Sequence, residues 1–168
     1  MAITRLPATA LSGTSLPSTI TSASGLSLGK IGQVVTTTLA GTQSSTSTAT
    51  TDSFSDSNLT ATLTPTSTSS KIFVSCQVNT GAANFADGSH IGRFTQAISG
   101  GSTTVVNVGD TAGNRIETSS GRGSESQGSN TLLNTHFSFV LSPSTTSAVT
   151  ITYQFACRGT GSSTAYIN

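Results

Sequence analysis

The stretch LTPTSTSSKIFVSCQV, Leu63 to Val78, holds the end of one strand, a corner and the start of another. Upstream of it Leu59, Ala61 and Leu63 alternate with threonines, and the alternation stops at Pro65. Five hydroxyl residues follow, Thr66 to Ser70. Lys71 then opens a run in which Ile72, Val74, Cys76 and Val78 share one phase, with Phe73 alone apolar in the other. Apolar residues repeating with period two predict half-buried strands. Proline fixes φ and offers no N–H, so Pro65 ends the first ladder. Serine and threonine hydroxyls can satisfy the backbone groups of a corner locally. The corner is therefore predicted to carry the chain from one sheet to another without burying a charge.

Composition agrees with a β protein. Of 168 residues, 30 are Ser and 32 are Thr, while charged residues make up 8%, against about 25% in an average globular chain. Threonine, β-branched and stiff at χ1, suits an exposed strand face. Glu and Lys occur twice each and Met once, so helix-favouring residues are scarce. Leu, Ile, Val and Phe total 36 residues, and the formal net charge is +1. Disorder at such a hydrophobic content also needs high net charge, so the chain is expected to fold around a thin core. A hydroxyl-built surface fits an extracellular or viral coat protein that stays soluble without charge.

The five arginines (Arg5, Arg93, Arg115, Arg122, Arg158) are scattered, which argues against nucleic acid as a partner. No apolar run is long enough for a membrane span. The N-terminus lacks the apolar core of a secretory signal, so cell lysis is the expected route outward and Asn58-Leu59-Thr60 is not expected to be glycosylated.

Residues 1–29 read as an extended arm for attachment or subunit exchange, and 30–168 as a β-sandwich domain. In the arm Ile3, Leu6, Leu11, Leu16, Ile20, Leu26 and Leu28 recur among Pro, Gly and small polar residues, with no consistent helical or strand period. These seven are the candidate partner-binding residues. Further strands are expected at Ile31–Leu39, His90–Ile98, Thr103–Val108, Leu132–Leu141, Val149–Cys157 and Thr164–Ile167, with loops at 41–51, 79–90 and 118–130. Seven or eight strands without a helix predict an all-β fold, an antiparallel β-sandwich that is jelly-roll-like in its strand count.

Candidates for chemistry are weak. His136 is expected to be exposed, and His90 follows Asp87-Gly88-Ser89 in a turn. No G-x-S-x-G elbow frames a nucleophile. Asp52, Asp56, Asp87, Asp110, Glu117 and Glu125 sit in expected loops or strand ends, where solvated turn residues are the default. No metal-ligand spacing or phosphate cradle is present, so no catalytic residue, metal or cofactor is expected. Cys76 and Cys157 each fall in the apolar phase of a strand. Buried reduced thiols are one reading, and a disulfide across the sandwich is the other.

The combination GKIGQVV (29–35), a Ser/Thr loop, and DSNLTATLTPTSTSSKIFV (56–74) resembles a module of structural proteins in tailed bacteriophages, including marine and cyanobacterial ones. The closing VTITYQFACRG…STAYIN is similar to how such modules end. The resemblance covers about residues 29–168 and centres on the TPTSTSSKI corner. It implies a β-sandwich protomer, usually a homotrimer on the virion, and no catalytic residues. The implied role is a capsid decoration or cement protein held to the major capsid protein, or another virion protein, by the arm. A receptor-binding tail fibre or fibre tip, with loops 79–90 and 118–130 touching a host receptor, is the alternative. The short arm and the lack of a shaft favour the former. Such a protein is made in the host cytoplasm and resides on the virion.

Overall fold

The computed structural model describes residues 31–46, 53–83, 88–110, 113, 116–121, 132–159 and 163–168. Among them are nine strands and no helix. These are β1 (Gln43–Thr46), β2 (Ser55–Leu63), β3 (Ile72–Ala83), β4 (Gly88–Ile98), β5 (Thr103–Val106), β6 (Ser120–Gly121), β7 (Leu133–Leu141), β8 (Val149–Gly159) and β9 (Thr164–Ile167). They belong to the unit Val35–Asn168 and pair throughout antiparallel. One sheet has the order β1-β9-β3-β7, the other β2-β8-β4-β5, with β6 also on β4. Because β8 occupies one edge of β4 from Gly88 to Ile98, β6 and β5 share the other edge, at Ile91–Gly92 and Phe94–Ala97. The pairing is nested: first strand with last, second with second-last, third with third-last, fourth with the two short strands after it.

The two sheets share one core. Val149, Ile151, Tyr153, Phe155 and Cys157, the apolar phase of β8, are all buried, and they meet Ile72, Val78, Phe137, Ala165 and Ile167 of the other sheet. Phe94 ties the layers together. Its ring lies 5.1 Å from Phe137, 5.0 Å from Phe139 and 5.2 Å from Tyr153, in tilted or edge-on geometries. Such contacts contribute about 0.5–1.5 kcal/mol each beyond burial of area.

The corner behaves as its sequence predicts. β2 and β3 lie in different sheets, so residues 64–71 cross between them. Pro65 is buried. Ser70 N donates to Ser67 O at 3.0 Å, and Ser69 N donates to Ser67 Oγ at 3.2 Å. Lys71 stays exposed and donates to Ser142 Oγ at 2.6 Å. On the solvent face beyond it, cross-strand threonines pair hydroxyl to hydroxyl: Thr60 with Thr152 at 3.0 Å and Thr62 with Thr150 at 2.8 Å. Neighbouring Thr side chains of this kind stabilise a sheet without charge.

Three expectations change. Residues 31–42 form no ladder despite the alternation in IGQVVTTTL, and the first strand is instead QSST, inside the expected loop 41–51. A strand is defined by its partner, and Gln43–Thr46 finds one in β9, with Thr46 Oγ1 and Thr164 Oγ1 at 3.1 Å. β3 runs on to Ala83 because β9 also pairs with its last residues. β6 falls within the expected loop 118–130. The arm, residues 1–29, lies outside the described residues, as do 84–87 and 122–131.

Candidate functional site

The inner face of the β1-β9-β3-β7 sheet is incompletely covered along β3. On one edge β3 pairs with β7 from Ile72 to Thr80. On its other edge β9 reaches only Thr80 to Ala83. Among the described residues no strand pairs with Ile72–Val78 on that side. A cavity of about 530 Å³ is lined by Val35–Leu39, by β3 and by Asn168. Its floor is the facing sheet: Leu59, Ala61 and Leu63 of β2, Phe94 of β4, and Ile151 and Tyr153 of β8.

Burial follows this geometry. Val78, close to where β9 joins β3, is 2% exposed, whereas Val74 and Cys76 are only partly buried although they share its phase. Leu59, Ala61 and Leu63 are also only partly buried. Asn168 N donates to Asn79 O at 3.1 Å, so the Asn79 carbonyl points toward β9. Backbone groups alternate sides along a strand, so those of Phe73, Ser75 and Gln77 point the same way, into the cavity. The site is thus an apolar floor under a row of strand-edge donors and acceptors, the arrangement that accepts an added strand.

Cys76 and Cys157 are not joined by a disulfide. Cys157 is buried in the core, while Cys76 lines the cavity and is half-buried. Loss of solvation pushes the Cys76 thiol up to about 11, so it is a poor nucleophile near neutrality.

The candidates for chemistry are dispersed. His90 is not in a turn: it is on β4, 4% exposed, and stacked on Phe155 with centroids 6.2 Å apart. Burial lowers its pKa to about 4, and its Nε2 has no hydrogen-bond partner among the described residues. His136 is exposed, as expected, with Nε2 3.1 Å from Ser75 Oγ. The described residues provide no carboxylate to orient that imidazole.

Of the six carboxylates, Asp110 is exposed in the segment after β5, and Asp52, Asp87 and Glu125 lie outside the described residues. Asp56 and Glu117 are the two near a cation. Arg93 Nε donates to Gln154 Oε1 at 2.8 Å, and Gln154 Nε2 donates to Asp56 Oδ1 at 2.6 Å. The Arg93 guanidinium lies 3.9 Å over the Phe54 ring. Desolvation lowers its pKa, opposed by Glu117 and Asp56. This row ties β2, β8 and β4 together through Asp56, Gln154 and Arg93.

No three His, Cys, Asp or Glu side chains cluster as metal ligands among the described residues. The seven arm residues named from sequence lie outside the described residues, so the cavity is a feature that the sequence pattern did not single out. Its signal was the apolar phase of β3 and β2, but nothing in one sequence tells how far β9 extends along β3. No protein family, curated protein or solved structure matches the chain.

Proposed function

We propose that this chain is a non-enzymatic structural protein of a tailed-bacteriophage virion, a trimeric capsid decoration or cement protein held to the head surface through residues 1–29. The observation that carries the reading is the nested strand pairing. With β5 and β6 taken as one broken strand, the nesting supports a jelly-roll-like reading, the architecture of many capsid domains. Two further features support it. The TPTSTSSKI corner on which the phage resemblance rests crosses between sheets as a compact hydroxyl-bonded turn. Among the described residues the outer faces carry threonine pairs and a row in which Arg93, Gln154 and Asp56 bond one another. A thin core also gains from association, since subunit contacts bury surface that one copy cannot.

Fold alone does not assign function, so the test is placement. Gold-labelled antibody against the chain, applied to purified particles that encode it, should decorate the head at many positions. Label confined to the tail tip would assign the chain to host adsorption instead. Particles without label would overturn the virion reading.

A further inference from the structure

We infer that the slot beside β3 is filled by a strand from the arm of a second copy, residues 20–28, which completes the sheet in trans. The inference rests on the arm being an interaction segment, not on the virion reading.

The slot fits a strand for three reasons. Its open edge, Ile72–Val78, is seven residues of strand without a ladder partner on that side among the described residues, about 23 Å long. Exposed edges are normally blunted by charge, proline or a bulge, yet β3 has no charged residue and no proline from Ile72 to Ala83. The floor is apolar and only partly buried at Leu59, Leu63, Val74 and Cys76. An occupant therefore needs free backbone groups, aliphatic side chains in one phase, and no charge to bury.

Residues 20–28, ITSASGLSL, meet these needs. Ile20, Leu26 and Leu28 fall in one period-two phase, the intervening side chains are small, and no charge or proline interrupts them. Nine residues reach about 30 Å when extended, enough to span the edge. A donor strand in line with β9 would run antiparallel to β3, as β9 does.

The short stretch between donor and wall is the reason for choosing a second copy as the donor. Val35–Leu39 already line the slot. Only Gly29-Lys30-Ile31-Gly32-Gln33-Val34 separate the donor segment from Val35. Ile31 and Val34 are β-branched, which disfavours a tight turn, and they are 79% and 74% exposed. Donation in trans is the arrangement of exchanged arms in symmetric oligomers.

The test uses full-length chains carrying Ile20→Cys, Leu26→Cys or Leu28→Cys, oxidised at pH 9 to reach the reluctant Cys76 thiol. At least one should give disulfide-linked dimers or larger species, lost when Cys76→Ser is added. A disulfide within single chains would overturn the proposal, as would none in all three variants. A second measurement needs no oxidation. In the wild-type chain the amides of Phe73, Ser75 and Gln77 should be protected from hydrogen exchange, and Leu26→Ser with Leu28→Ser should speed them at least ten-fold. Unprotected amides in the wild type, or protection indifferent to the arm, would overturn the proposal.

Discussion

Gly92 and Tyr153 show how tightly single positions are fixed. A Cβ on Gly92 would sit 2.0 Å from the Tyr153 Oη and 2.6 Å from its Cζ. The tyrosine ring is 1% exposed and has nowhere to go. Overpacking of this kind costs about 1–3 kcal/mol, so Gly92→Ala should lower the urea midpoint accordingly. Adding Tyr153→Phe, which removes the closest atom, should restore part of the loss. Burial pushes the Tyr153 hydroxyl up to about 12, with the nearby Ser120 pulling the other way. His90 gives a pH dependence with a definite sign. Its pKa is about 4 folded and 6.5 as the reference for the unfolded chain. Between those values the unfolded state binds the extra proton, so stability rises with pH. The contribution is complete above 6.5, falls as pH drops toward 4, and loses nothing further below. At 1.36 kcal/mol per unit the loss is of order 3 kcal/mol. His90→Phe should flatten unfolding free energy between pH 7 and 4.5.

At the scale of strands, alternation decides what each residue is worth. Phe94 joins the sheets through its contacts with Phe137 and Phe139 and also packs on Tyr153 of its own sheet, so Phe94→Ala should cost about 3–5 kcal/mol. Phe73 lies on the outer face at 67% exposure, so Phe73→Ala should stay within about 0.5 kcal/mol in the isolated protomer. Chemical denaturation of the two variants checks both. The outward place of Phe73 was legible in the sequence, because Ile72, Val74, Cys76 and Val78 of β3 take the opposite phase; that of Phe94 was not, because β4 carries apolar residues in both phases. β9 was legible as a strand. β1 was not: QSST has no apolar phase, and its strand character comes from β9, far away along the chain. Conversely, IGQVVTTTL has the pattern but no partner strand among the described residues. The slot was hidden by the same non-local fact, the point where β9 stops. His90 was misplaced because Asp87-Gly88-Ser89 reads as a turn, whereas Gly88 and Ser89 already pair with Gly159 and Arg158.

For the whole molecule, a hydroxyl-rich, nearly uncharged β unit is joined to an arm whose seven aliphatic residues have no regular period. Ordering such a segment costs about 1–2 kcal/mol of backbone entropy per residue, while each aliphatic side chain returns about 1.5–3 kcal/mol only when fully buried. The arm is therefore worth ordering only against a surface, and two are proposed for it: the virion and the slot of a neighbouring copy. The most direct test replaces Ile3, Leu6, Leu11, Leu16, Ile20, Leu26 and Leu28 with Ser in the full chain and measures incorporation into particles. An arm that attaches the protein predicts an unchanged β-type far-ultraviolet spectrum and incorporation reduced at least ten-fold. A variant that folds and is incorporated at wild-type occupancy would contradict that role.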